Sequence, residues 1–284
     1  MEIDLEKIKQ EKSLKELLEF SILNIDKPSG PTSFWVDTYI MRLLGLKKAS
    51  HMGTLDPKVT GVLPVMLNRA CRLSEWFMKK KKTYVGVMRI HKEISEEKLK
   101  EEMAKFVGKI MQLPPVKSRV KRQEREREIY SWDLLEYDKE KKEGLFECEV
   151  EAGTYIRKLI SDFGLRVGGA HMLELRRTRA GIFSENDPGF INLYDLEKIK
   201  DNEEELRKML IPGEIISKIL PVVQIKKNDL RRILTGKPIM KEDLLDELSV
   251  EEGDVVVFCN NKFIGVYKRV NERGMLLKPK FVKN

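Results

Sequence analysis

The period of the apolar residues changes abruptly at Gly153-Thr154, and this rules out a fold built from one kind of element. Phe146, Cys148, Val150 and Ala152 alternate with Glu147, Glu149 and Glu151, as a half-buried strand requires. Just beyond the glycine, Ile156, Leu159, Ile160 and Phe163 recur at the spacing of one helix face, with Thr154 expected as the N-cap. A strand that feeds a helix directly implies an α+β chain. It also puts Arg157 in the first turn of that helix, where the macrodipole disfavours a cation. An arginine there calls for a carboxylate partner or an anionic ligand. The alternative is a surface arginine that the helix merely tolerates.

The rest of the chain reads as the same mixture. Residues 1–20 form a charged segment with Leu5, Ile8, Leu14, Leu17 and Leu18, partly helical and packed on another surface. Ile22 to Ile25 reads as a short strand, closed by the turn residues Asp26 to Pro31. Thr32 and Ser33 are N-cap candidates for a helix carrying Val36, Ile40, Leu43 and Leu44. Lys79 to Lys82 precede a strand, Thr83 to Met88, and a lysine run of that kind is most simply a solvated face. Ser95 caps a helix with Leu99, Met103 and Phe106 on its buried side. Residues 117–128 carry six Lys/Arg and three Glu with no apolar period, which suggests an exposed basic loop, either a nucleic-acid clamp or a connector. A polar helix is expected over 195–210. From about Ile215 onward, short strands and turns suggest a small β-barrel. Residues 212–284 hold 14 Lys/Arg against 10 Asp/Glu, half of the excess positive charge of the whole chain.

One stretch has neither period. His51 to Val65 contains two glycines, two prolines and a single acid, Asp56, with Pro57 next to it. The proline biases Asp56 toward extended backbone, and Gly53 and Gly61 permit shapes or close approaches that a side chain would block. The result is one carboxylate on a stiffened loop, with Val62, Leu63, Val65 and Met66 anchoring the next segment in a core. Taken alone, it is also an ordinary Asp-Pro turn.

Composition narrows the chemistry. With 284 residues, 41% of them hydrophobic, the chain has ample length for a core and is not disordered. Its 54 Lys/Arg against 46 Asp/Glu suit a polyanionic partner, although Lys/Glu-rich surfaces also accompany thermal adaptation. Cys71, Cys148 and Cys259 form no closely spaced pair, and there are three histidines, His51, His91 and His171, so no metal site is expected. No apolar run reaches membrane-spanning length, and a cytoplasmic protein is expected.

Five signatures in order carry a resemblance. Lys27-Pro28-x-Gly30-x-Thr32-Ser33 and His51-x-Gly53-Thr54-Leu55-Asp56-Pro57-x-x-Thr60-Gly61-Val62-Leu63-Pro64 resemble the first two motifs of the TruB/dyskerin family of pseudouridine synthases. Lys82-Thr83-Tyr84, Gly153-Thr154-Tyr155-Ile156-Arg157 and Leu175-Arg176-Arg177-Thr178-Arg179-x-Gly181 are similar to its later motifs. The resemblance implies a catalytic domain with a mixed or antiparallel sheet over residues 21–211, with a basic thumb loop at about 114–130. It further implies a C-terminal PUA RNA-binding barrel over 212–284, with residues 1–20 packed on it. The thumb and the barrel are closest to the archaeal branch, in which the enzyme is the catalytic subunit of the H/ACA guide-RNA particle.

Pseudouridine synthesis detaches uracil from its ribose, turns it and rejoins it through carbon. By resemblance, Asp56 is the catalytic carboxylate, attacking the ribose or the base, Arg157 pairs with it, and Tyr84 stacks on the flipped uracil. His51 fills the space the base vacates, Leu175 and Tyr155 line the pocket, and Lys27 and Pro28 brace the loop. No cofactor and no metal are implied. The implied partners are H/ACA guide RNA, substrate rRNA or tRNA, and the small H/ACA core proteins, with no membrane. Two departures stand out: Met52 replaces the small residue of many relatives, and Glu124, Glu126 and Glu128 dilute the thumb's basic character. Other readings are stand-alone modification of a tRNA T-loop, a non-catalytic guide-RNA scaffold, and an N-glycosidase, which would need a second carboxylate, Glu174 being the one available in the motifs.

Overall fold

A computed structural model describes residues 3–114, 121–228, 230–246, 250–272 and 274–284. In chain order the first half runs α1 (Leu5–Glu11), α2 (Leu14–Glu19), β1 (Ser21–Lys27), α3 (Ser33–Leu43), β2 (Ala49–His51), β3 (Thr60–Leu67), α4 (Ser74–Met78), β4 (Lys82–Ile90), α5 (Glu96–Ala104), β5 (Gly108–Gln112), β6 (Arg125–Asp138) and β7 (Glu143–Val150). The second half continues with α6 (Ile156–Val167), β8 (Ala170–Ala180), β9 (Phe183–Ser184), β10 (Phe190–Asn192), α7 (Leu193–Ile199), α8 (Glu203–Met209), β11 (Ile211–Pro212), β12 (Val222–Gln224), α9 (Leu230–Leu234), β13 (Ile239–Met240), β14 (Asp254–Cys259), β15 (Lys262–Glu272) and β16 (Met275–Val282).

Among the described residues the strands form two sheets. The larger is mixed, in the order β10-β1-β3-β8-β4-β7-β6-β5, with β11 added to β1, β2 to β3 and β9 to β8. The smaller, C-terminal sheet runs β12-β14-β15-β16-β13, and the bridge Ile225↔Leu244 helps to curl it. Strands at the centre of the large sheet are covered on both faces. Leu23, Ile25, Leu63 and Val65 point into one core with α3 and α6, while Ile22, Val62 and Met66 point into a second. That is why Ile22-Leu23 in β1 and Val62 to Met66 in β3 are apolar on both faces.

The second core joins the two sheets. Ile3, Ile8 and Phe20 from the N-terminal segment pack there with Phe258, Phe263, Val266 and Phe281 of the small sheet. The Phe20 and Phe263 rings are 5.2 Å apart. Lys12 binds the buried Glu214 carboxylate at 2.6 Å, Lys283 reaches the same oxygen at 3.4 Å, and Arg207 donates to the carbonyls of Lys9 and Lys12. The N-terminal segment is thus fastened to both units. Among the described residues no helix is long and apolar enough to cross a membrane.

Several elements differ from the sequence expectation. The helix expected over 195–210 is two helices, because Asn202 caps a second start by accepting from Glu205 N. Residues 115–120 of the expected basic loop lie outside the described residues. Residues 121–124 are irregular and exposed, and the strand β6 begins already at Arg125, zipped to β5 with Arg127 opposite Ile110. The strand β3 also runs straight through Pro64. It does so because β8 pairs only Thr60 and Gly61 and β2 pairs only Val65 to Leu67, so the missing N–H falls in the gap between the two partners. Thr154 is not the N-cap of α6. Tyr155 takes that place without a side-chain cap, and the Thr154 hydroxyl is buried without a partner.

Candidate active site

The loop from Met52 to Val59, between β2 and β3, is held through its backbone. Ser33, at the start of α3, accepts from Leu55 N at 2.9 Å and donates to Leu55 O at 3.0 Å. Lys27 is fully buried, and its ammonium donates to the carbonyls of Pro28 at 2.8 Å and of Pro57 and Val59 at 3.0 Å. Gly30 N adds a second bond to Pro57 O. Arg177 donates to Gly53 O at 2.9 Å and to Val62 O at 2.7 Å. Gly53 and Gly61 have φ of +97° and +98°, and a Cβ at Gly61 would sit 2.2 Å from Arg177 O. Both glycines are therefore needed for shape and approach. Asp56 is presented on this frame and faces solvent.

Arg157 meets it. Its Nη2 lies 2.7 Å from Asp56 Oδ2, with the two side chains 56% and 48% exposed. An ion pair this exposed adds at most about 1 kcal/mol to stability. Its consequence is orientation of the carboxylate, and it also satisfies a cation set against its helix dipole. Burial pushes the Lys27 ammonium below its usual range, and the field of Asp56 opposes that shift.

Tyr84 is buried on β4, opposite Cys148 of β7 and Arg177 of β8. Leu175 is buried opposite Gly86, where a Cβ would come within 2.9 Å of the leucine Cδ1. Tyr84, Leu55 and Val59 belong to the same core as Leu175. His51 ends β2, with Nδ1 2.7 Å from the buried Asp37 and Nε2 3.0 Å from Thr54 Oγ1. Tyr155, the N-cap of α6, is gripped by the buried amide of Gln112, which accepts from its N–H at 3.0 Å and donates to its C=O at 3.3 Å. Pro28 is exposed and contributes its carbonyl to Lys27. Met52 is 2% exposed and lies in the second core with Val62 and Met66. Glu126 pairs with Lys109 of β5 at 3.0 Å.

Four residues of the site carry roles that the sequence reading does not give them. Ser33 reads as an N-cap, but Thr32 does the capping and frees Ser33 for Leu55. Arg177 and Gln112 are polar residues at inward positions of alternating strands, and that position was the available signal. Lys82 is the fourth: it is 5% exposed, so the four-lysine run is not wholly solvated. Its ammonium donates to the carbonyls of Met78 and Lys80. In β4 it belongs to the buried alternation of Tyr84, Gly86, Met88 and Ile90.

Comparisons with known proteins agree on one family. Residues 41–97 match the TruB family pseudouridylate synthase N-terminal domain, and residues 157–217 match the tRNA pseudouridylate synthase B C-terminal domain. A Methanothermobacter thermautotrophicus protein named "Probable tRNA pseudouridine synthase B" is 41% identical over 261 residues, 89% of this chain and 79% of that protein. A Pyrococcus abyssi protein of the same name is 41% identical over 253 residues, 86% of this chain and 75% of that protein. Among solved structures, one described as a Cbf5-Nop10-Gar1 complex superposes with TM-score 0.87 at 35% identity, over 96% of this chain and 88% of that chain. Another, an H/ACA RNP bound to a substrate RNA containing 2'-deoxyuridine, gives TM-score 0.85 at 34% identity, over 96% of this chain and 88% of that chain.

Proposed function

The chain belongs to the TruB family of pseudouridine synthases, which are RNA isomerases, and from that premise we propose that it modifies uridines of ribosomal RNA within an H/ACA guide-RNA particle. On this reading Asp56 is the catalytic carboxylate and Arg157 orients it. Tyr84 stacks on the flipped uracil, for which base–aromatic stacking is worth ~1–3 kcal/mol. That recovers the few kcal/mol spent in unstacking the base. Leu175 and Tyr155 line the pocket. His51, anchored at Asp37, fills the space the base vacates after giving up its bond to Thr54. Lys27 and Pro28 brace the loop.

The observation that carries the reading is the 2.7 Å pair between Asp56 and Arg157 on a loop whose backbone is bonded on every side. Preorganisation of this kind removes reorganisation from the reaction step. The particle context is supported by likeness to chains solved in H/ACA assemblies along nearly the full length of this one, C-terminal sheet included. Residues 212–284 then act as a PUA RNA-binding domain, residues 21–211 as the catalytic domain, and small core proteins as partners in the cytoplasm. The names of the sequence relatives favour a second substrate, tRNA.

One assay separates the two substrates. Purified protein is given an rRNA fragment or a tRNA, with and without guide RNA and core proteins, and pseudouridine is quantified. Guide-dependent modification of the rRNA fragment is expected. Efficient modification of tRNA by the protein alone, with none of the rRNA, would transfer the function to tRNA.

A further inference from the structure

We propose that Lys82 and Arg177 form a buried pair of positive charges behind the catalytic loop, whose field stabilises the negative charge that uracil carries as it leaves its ribose. The inference rests on the reading of Asp56 and Tyr84 given above.

The two cations share one place. Lys82 lies two residues from Tyr84 on the buried face of β4, and Arg177 stands opposite Tyr84 on β8. A Cβ placed on Gly53 would be 3.5 Å from Arg177 Nη1 and 3.7 Å from Lys82 Cε, so both lie under the same glycine, three residues before Asp56. Arg177 is 1% exposed and heads the largest fully buried side chains of the chain. Both residues bond only to neutral carbonyls: Val62 and Gly53 for Arg177, Met78 and Lys80 for Lys82. Among the described residues neither makes a salt bridge.

Lys27 beneath the same loop is a third buried cation bonded to carbonyls, whereas the buried acids are paired. Glu102 is bound by Lys98, Lys105 and Arg166, Asp243 by Arg232, and Glu214 by Lys12 and Lys283. A buried cation without an acid is costly, and folds keep such costs chiefly at functional sites. Burial, then the charge of Arg177, push the Lys82 ammonium down to about 8, the mark of that cost. Facing Lys82 are Arg177 from β8 and Tyr84 on its own strand. Lys81 turns outward to Glu149 of β7, and the loop in front carries Asp56, already paired with Arg157.

The reaction has a use for such a field. When the bond between ribose C1′ and uracil N1 breaks, its electron pair stays on the base. The base turns, C5 bonds to C1′, the C5 proton leaves, and N1 takes up a proton, so that product and substrate are isomers. Through the first of these steps the base is anionic. A fixed positive potential that is already desolvated stabilises that state more than the neutral substrate, and preorganised electrostatics of this sort are worth about 10²–10³ in rate.

The test is single-turnover pseudouridine formation from pH 6 to 10 in the complete assembly that supports wild-type activity, with K82M and K82R. The wild-type rate is expected to fall as pH rises past about 8 and Lys82 loses its proton. K82M should lower the rate at pH 7 by about 30-fold, with RNA affinity within twofold and no alkaline fall near 8. K82R should recover most of the rate and carry it to higher pH. A K82M protein at the wild-type rate overturns the proposal, as does one whose loss is matched by lost RNA affinity or helicity. Should K82M not fold, an alkaline fall in K82R identical to that of wild type overturns it equally. A wild type that forms no pseudouridine overturns both this and the reading it rests on, whereas an active wild type indifferent to Lys82 overturns this alone.

Discussion

Asp56 owes its position to the backbone bonds of its neighbours. Ser33 takes both polar groups of Leu55, Lys27 and Gly30 take the carbonyl of Pro57, and Arg177 takes that of Gly53. Arg157 then supplies a single partner to the carboxylate itself. Replacing it by Lys exchanges a planar fork for a point charge, and single-turnover pseudouridine formation should fall at least ~30-fold, about 2 kcal/mol, with little change in urea midpoint. A near-normal rate would reject the pairing as a catalytic feature. Gly61→Ala tests the frame. Its φ of +98° and the 2.2 Å approach to Arg177 O leave no room for a methyl group, so stability should drop by more than about 2 kcal/mol in chemical denaturation. At this scale, the misplacement of Arg157 against its helix dipole is legible in the sequence, and so are the two glycines. Lys82 is not, because three lysines precede it and a charge run reads as solvent-facing. Only its place in the alternation with Tyr84 marks it as buried.

At the scale of elements, the site depends on how strands deliver turns. Gln112 closes β5 and clamps Tyr155, so the strand beside residues 115–120 also fixes the start of the helix that carries Arg157. The N-terminal helices work in a comparable way between the two sheets. Removing residues 1–12 deletes the Lys12–Glu214 pair and the apolar side chains of Ile3 and Ile8, leaving Glu214 with Lys283. Hydrogen exchange in β15 and β16 should then speed up by at least ~10-fold. Unchanged protection would show that the N-terminal segment does not support the C-terminal sheet. The switch from strand to helix at Gly153, the caps at Thr32 and Ser95, and the hairpins of the small sheet are all legible in the sequence. The break at Asn202 and the strand through Pro64 are not, because a local cap and a gap between two partner strands override the pattern.

The whole molecule is an α+β enzyme whose large mixed sheet is joined to the smaller one through a common apolar core, and its electrostatics can be tested globally. Lys82 has a folded pKa of about 8, below its unfolded value of 10.5. The unfolded chain therefore binds more protons between those values, and the folded state gains stability as pH rises through the window. The wild-type minus K82M difference in unfolding free energy should grow by about 3 kcal/mol between pH 8 and 10.5. Taking the difference cancels the thiol of Cys71, which burial pushes up to about 11. A flat difference would mean that Lys82 is not buried in its charged form. The positive charge of residues 212–284 is legible from composition. How that unit joins the rest is not, because the shared core draws Phe20, Phe258, Phe263 and Phe281 from distant parts of the chain.

The central claim is that this chain isomerises uridine with the Asp56 carboxylate, and Asp56→Asn tests it most directly. The substitution keeps the size of the side chain and removes its charge. In the assembly that supports wild-type activity, the Asp56→Asn protein is predicted to form no detectable pseudouridine, with RNA affinity within about twofold of wild type, roughly 0.4 kcal/mol. Pseudouridine formed by that variant at a rate comparable to wild type would contradict the claim.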